Sequence, residues 1–181
     1  DYAGWKRQAS GPSIQRHIEE NHVAVCKERI TLYGSGRTDA GVHAIGQVAH
    51  FDTNTRIPPE KFSLALNVGL PRDIRVVESW EAQEGFHARY SAKSKHYRYT
   101  SRNAPVASAL LGRYEWHLHA PLNVDAMMKG APLFLGEQDY SAFTGAGCKI
   151  QNRVRRLIRS YTTTEGALRH SDVLVHVFVS N

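Results

Sequence analysis

Arg29-Ile-Thr-Leu-Tyr-Gly-Ser-Gly-Arg-Thr-Asp-Ala-Gly-Val-His-Ala-Ile-Gly-Gln-Val-Ala-His-Phe-Asp52 is the stretch from which the fold is read. Arg29 to Tyr33 is short and β-prone, Ala44 to Asp52 is strand-like again, and glycine and small polar residues fill the space between. A strand, an irregular loop and a second strand is the simplest reading, with Asp39 on the loop. Arg37 and Asp39 stand at i and i+2, so in an extended backbone their side chains point the same way. An ion pair between them is geometrically easy. Such an arginine keeps a carboxylate ionised, and the neighbouring glycines let a bulky ligand approach the backbone. The same residues also suit a structural turn in which the arginine caps the aspartate, and spacing alone leaves both readings open.

Before this stretch, Pro12 to Cys26 reads as a helix, with Ile14, Ile18 and Val25 near one face and Ser10 or Ser13 as its cap. After it, Pro58 and Pro59 open a helix through Phe62, Ala65 and Leu66 that Gly69 ends, and Ile74 to Glu81 alternates as a strand. These elements make a βαβ-type half over residues 1–85. In residues 86–181, Ser94 to Arg102 reads as a strand with Lys95, Tyr97, Tyr99 and Ser101 on one face and His96, Arg98, Thr100 and Arg102 on the other. Val124, Met127, Met128 and Ala131 mark a helix from Asn123 that Pro132 kinks or ends. Arg153 to Thr163 and Val173 to Val179 are further strands on either side of a polar turn at Glu165-Gly166. The expected fold class is α+β, two related halves around one mostly antiparallel mixed sheet. The chain starts without Met and stops directly after a strand-like run, so the second half is expected to be incomplete at its C-terminal end.

Of 181 residues, 41% are hydrophobic and 22% charged, the balance of an ordinary folded domain. Lys plus Arg number 23 against 17 Asp plus Glu, and this formal +6 favours polyanionic partners. Only Cys26 and Cys148 are present, in no zinc or disulfide-scaffold spacing, which suits a reducing, cytoplasmic setting. No apolar run approaches the roughly 20 residues of a membrane-spanning helix, so no membrane partner is expected.

Tyr97 and Tyr99, interleaved with Lys93, Lys95, Arg98 and Arg102, combine stacking faces with phosphate-binding cations, the pattern of an RNA surface. A core-facing tyrosine pair with a solvated basic back is the plain alternative. Arg153, Arg155, Arg156 and Arg159 add a second basic cluster, at least one side of which should be exposed. Asp39, His43, His50 and Asp52 are possible metal ligands, but His43 falls on the wrong strand face and no ligand signature such as HExxH occurs, so no metal site is expected. Gly34-Ser-Gly36 and Gly145-Ala-Gly147 lack the phosphate-loop pattern, and no GxSxG elbow exists.

Gly36-Arg-Thr-Asp-Ala-Gly-Val-His-Ala44, followed by Gly46-Gln-Val-Ala-His-Phe-Asp52, resembles the signature of the tRNA pseudouridine synthase A (TruA) family. Gly4-Trp-Lys-Arg-Gln8, Ser13-Ile-Gln15, Phe86-His-Ala-Arg89, Ser91-Ala92, Tyr97-Arg98-Tyr99, Ser141-Ala-Phe143 and Gly147-Cys148 extend the likeness through nearly the whole chain. Lys6 departs from it, standing where the family usually has Gln. The resemblance implies the pseudouridine synthase fold, with an active-site cleft between the halves. It implies that Asp39 is the catalytic carboxylate, Arg37 its ionic partner and Tyr97 the residue packed on the target uracil. Lys93, Lys95, Arg98, Arg102 and His43 are then RNA contacts. The implied reaction isomerises uridine to pseudouridine in the anticodon arm of tRNA, at tRNA positions 38–40, without cofactor and as a homodimer. A noncatalytic RNA-binding protein is the rival reading, and a metal-dependent hydrolase the third.

Overall fold

Ser13 takes an extended backbone conformation and its hydroxyl accepts the Arg16 N–H at 3.3 Å, which starts helix α1 (Ile14–Cys26). Lys27 ends it in the left-handed conformation, φ 59°, with its N–H on the Val23 carbonyl. The structure, a computed structural model, describes residues 2–9, 11–145 and 151–176. Two units divide the chain, Asp1–Ala92 and Lys93–Asn181.

In the first unit, Pro59 opens a 3₁₀ turn (Pro59–Lys61) that runs into helix α2 (Phe62–Gly69). Trp5, Ile18, Leu32, Phe62, Leu66, Leu70 and Ile74 are buried together as its core. Strands β1 (Tyr33–Gly34) and β2 (Ala49–His50) pair antiparallel, Tyr33 opposite His50 and Gly34 opposite Ala49.

These strands are far shorter than expected, and the expected strand at Ile74–Glu81 is absent. At Leu32 and at Val76 helix side chains take the backbone groups that a ladder would use. Leu32 donates its N–H to Glu19 Oε1 at 3.1 Å and its carbonyl accepts Gln15 Nε2 at 2.9 Å, so α1 replaces a neighbouring strand there. Asn67 of α2 bonds both backbone groups of Val76, at 2.7 and 2.8 Å, and in the opposite sense the Ser79 side chain accepts the α2 backbone N–H of Ser63 at 2.9 Å. Buried backbone groups need partners, but those partners need not be another strand.

The second unit is built on a five-stranded sheet in the order β4-β3-β7-β6-β5. Its strands are β3 (Ser94–Asn103), β4 (Trp116–Leu118), β5 (Gly136–Asp139), β6 (Val154–Glu165) and β7 (Leu168–His176). Among the described residues only the β3–β4 pair is parallel. β7 starts earlier than its apolar run suggests, because Leu168 to Asp172 pair along β3 and β6 despite their polarity. Val177 to Val179 lie outside the described residues, as do Gly147 and Cys148. Asn123 caps helix α3 (Val124–Gly130) by accepting the Ala126 N–H at 2.9 Å, and at Pro132 the chain tightens into a 3₁₀ turn (Ala131–Phe134), as the missing proline N–H requires.

Candidate active-site loop

Asp39 lies on the loop from Ser35 to Val48, which is fixed from three sides. At its root, the Ser35 N–H bonds the Val48 carbonyl at 2.8 Å. The Gln47 side chain spans the loop by accepting Ser35 Oγ at 2.8 Å and donating to the Gly36 carbonyl at 2.6 Å. From the N-terminal segment, the Trp5 N–H donates to the Thr38 carbonyl at 3.0 Å, one residue before Asp39. Beyond Asp39 the chain reverses: the Val42 N–H bonds the Asp39 carbonyl at 3.2 Å, with Gly41 at φ 80°.

Two glycines make this docking possible. Gly4 sits at φ 108°, and a Cβ there would lie 2.5 Å from the Thr38 oxygen. At Gly34, a Cβ would lie 2.6 Å from the Trp5 ring, so the buried indole fits beneath the start of the loop only because no side chain is there. Gln15 holds the N-terminal segment in turn, its Oε1 accepting the Arg7 N–H at 3.0 Å and its Nε2 bonding the Leu32 carbonyl. The GWKRQ and SIQ elements are thus the support of the Asp39 loop. Apart from Ser13 as a helix cap, nothing local to these elements signals that role, because Trp5 and Gln15 meet partners at Thr38 and Leu32 far along the chain.

Arg37, Asp39 and His43 are all exposed. Among the described residues no ion pair joins Arg37 to Asp39, so the pairing that the spacing allows is not closed in this structure. Water gives such an exposed pair little incentive to close. Asp39, His43, His50 and Asp52 do not gather, and among the described residues no group of three or more His, Cys, Asp or Glu is placed to hold a metal ion.

In the second unit, the register sets Lys95, Tyr97, Tyr99 and Ser101 on one face of β3, opposite Val175, Val173, Ser171 and Arg169 of β7. Tyr97 is 50% and Tyr99 73% exposed, so within this unit they are not a core-facing pair. Lys93 is exposed and Lys95 half-buried. The other face is more committed. Asp172 is buried, and its Oδ1 accepts Arg98 Nε at 2.8 Å and His96 Nε2 at 2.7 Å. Burial by itself would raise the Asp172 pKa, but these two hydrogen bonds outweigh it and hold the carboxyl below the usual range. Arg102 is clamped by Glu115, donating from Nε to Oε1 and from Nη2 to Oε2, the latter at 3.0 Å. Arg98 and Arg102 therefore have structural partners already. On β6 a bulge between Leu157 and Arg159 brings Arg156 and Arg159 to one face, both exposed, whereas Arg153 and Arg155 are half-buried, so two of the four arginines of the expected basic cluster form its exposed side.

A carboxylate and a guanidinium on a tied-down loop, in an α+β chain with basic excess and an exposed tyrosine strand, fit the class of RNA-modifying isomerases. The comparisons with known proteins narrow this. The sequence pattern of the family described as tRNA pseudouridine synthase matches residues 1–91. Relatives named tRNA pseudouridine synthase A include that of Caldicellulosiruptor saccharolyticus, 42% identical over 91% of this chain and 68% of the relative. That of Moorella thermoacetica is 41% identical over 99% of this chain and 74% of the relative, and that of Geotalea uraniireducens 41% identical over 100% and 74%. The chain belongs to the tRNA pseudouridine synthase family.

Proposed function

We propose that this chain isomerises uridine to pseudouridine in tRNA and that Asp39 is the carboxylate that does it. The observation that carries the assignment is the fixing of the Asp39 backbone on both sides, by Trp5 at Thr38 and by the turn to Val42, while the side chain stays open to a ligand. A reacting group must be positioned without being consumed by internal contacts.

The reaction breaks the N1–C1′ bond of uridine, turns the detached base and rejoins it through C5, with no net gain or loss of atoms. A carboxylate can attack C1′, remove a ribose proton or add to uracil C6. Each route needs the uridine out of its stack. Arg37 is assigned the charge beside Asp39, closing onto it when the loop is covered by RNA and water is excluded. Tyr97 is the aromatic face for the uracil, with Lys93, Lys95 and His43 as further RNA contacts, and Arg98 and Arg102 hold the strand that carries Tyr97. The anticodon arm as target and the homodimer belong to the same reading and rest on resemblance, while the cytoplasmic setting rests on the cysteine usage and the two related halves on the order of elements.

Conversion of uridine in tRNA by the full chain, followed with Asp39→Ala and Asp39→Asn, tests the assignment. Both variants should fall to background turnover while their melting temperatures stay close to wild type, since an exposed loop side chain contributes within about ±0.5 kcal/mol. Near wild-type turnover in either variant would remove Asp39 from the mechanism.

A further inference from the structure

Phe86-His-Ala-Arg89 has no role in the chemistry above, yet its geometry is tightly specified. His87 Nδ1 accepts the Arg89 N–H at 3.2 Å and the Tyr90 N–H at 3.4 Å, so the imidazole shapes the turn that follows it. Ser91 closes the same turn, its N–H on the His87 carbonyl at 2.8 Å and its Oγ accepting the His87 N–H at 3.1 Å. His50, at the end of β2, accepts the Ala88 N–H on Nδ1 at 3.2 Å, which locks the segment against the strand.

The result is a row of four rings. Tyr33 stacks on His50 with centroids 5.1 Å apart and 22° between planes, His50 meets His87 at 4.4 Å, and His87 meets Tyr90 at 4.3 Å and 36°. The inner two are partly buried and backbone-bonded, while the outer two remain open, Tyr33 at 48% and Tyr90 at 59% exposure. The two imidazoles, fixed by their backbone bonds, hold both tyrosines at the surface, and Tyr33 also meets His87 at 5.8 Å and 52°. The position of the row is equally specific, because Tyr33 opens β1 and His50 closes β2, the two ends of the loop that carries Arg37 and Asp39. Arg89, exposed beside Tyr90, adds a cation.

We propose that the Tyr33–His50–His87–Tyr90 row is a stacking subsite for an unpaired base of the RNA substrate, distinct from the target uridine, with Arg89 toward its phosphate. Ring faces stack any base, and a nearby cation suits the backbone that accompanies it. The inference rests on the proposed RNA substrate, and it makes the root of the Asp39 loop a second point of attachment. Holding an adjacent nucleotide there would offset part of the unstacking needed to expose the uridine.

Binding of a fluorescein-labelled anticodon stem-loop RNA to the full chain, read by anisotropy, and pseudouridine formation in tRNA test it together. Tyr33→Ala and Tyr90→Ala should each weaken binding by about fivefold or more, the effect expected for one lost stacking partner. Tyr90→Phe, which keeps the ring, should bind as wild type. If both alanine variants bind within about twofold of a wild type that isomerises tRNA, the subsite is wrong and the functional reading stands; if the wild type does not isomerise tRNA, the functional reading falls and takes the subsite with it. Should the alanine variants fail to fold, irradiation of the wild type with a 4-thiouridine-substituted stem-loop decides. Crosslinks at Tyr33 or Tyr90 support the subsite, and crosslinks confined to other residues overturn it.

Discussion

Gly4 and Gly41 both hold positive φ near Asp39, at 108° and 80°, but they are not equivalent. A Cβ at Gly41 meets nothing within 4 Å, so Gly41→Ala should cost only the backbone strain, about 1–2 kcal/mol. At Gly4 the added carbon would press on the Thr38 carbonyl and lie 3.2 Å from the Asp39 carbonyl carbon. Either the Trp5–Thr38 bond breaks or the Asp39 backbone moves. Gly4→Ala should therefore lose turnover out of proportion to its stability, by about tenfold or more, given that small misplacements of a reacting group are costly. Urea midpoints and kcat measured on both variants check this, and equal kcat losses at equal destabilisation would show that Gly4 merely supports the fold. Asp39 was legible in the sequence as a candidate, through its spacing from Arg37 and its glycine-rich setting. Gly4 was not, since nothing local to it signals a contact with a loop beyond the first helix.

Elements with local signals were read with fair accuracy. Ser13, Asn123, the Pro58-Pro59 pair and Pro132 mark helix starts and stops by chemistry within a few residues of each boundary. Expected and observed strands agree where a long partner strand exists, as for β3 and β6, and disagree at Arg29–Tyr33, Ala44–Asp52 and Ile74–Glu81; at Leu32 and Val76 helix side chains satisfy the backbone instead. Alternation reports which face is buried, not what bonds the edge. β4 and β5, at three and four residues, carry too short a pattern to register. The polar start of β7 hides Asp172, whose value depends on Arg98 and His96 across the β3–β7 ladder. Among the described residues Asp172 Oδ2 has no hydrogen-bond partner, and the two bonds to the carboxylate are at Oδ1. Arg98→Ala should destabilise the second unit by about 1–3 kcal/mol, less than a fully buried pair because half of the arginine is in water. Chemical denaturation of Arg98→Ala beside Asp172→Asn checks it; an unchanged midpoint in Arg98→Ala would show that His96 and solvent suffice.

The charged groups of the whole chain should set its response to acid in two stages. His50 is held below its ordinary value of 6.5, first by burial and next by repulsion from His87, and its Nδ1 lone pair is already used by the Ala88 N–H. The unfolded chain therefore takes up this proton before the folded one does, so the contribution is complete above about pH 6.5 and is lost as pH falls below it. Carboxyls follow at lower pH. Glu28 is lowered first by the Thr53 hydroxyl, Asp73 by the Tyr2 hydroxyl, Asp139 by the Ser141 hydroxyl, and Asp172 by Arg98 and His96 against the opposing effect of burial. Their contributions stand above the ordinary carboxylate values and disappear below about pH 4, while a chain already at +6 gains further positive charge. Melting temperature should thus be highest near neutrality, fall modestly between about pH 7 and 5, and fall steeply below about pH 4. His50→Asn keeps an acceptor close to the Nδ1 position and cannot titrate, so it should flatten the first stage and leave the second intact. A pH series of thermal melts on both proteins decides the matter, and an identical decline above pH 5 in the variant would assign the first stage to other histidines.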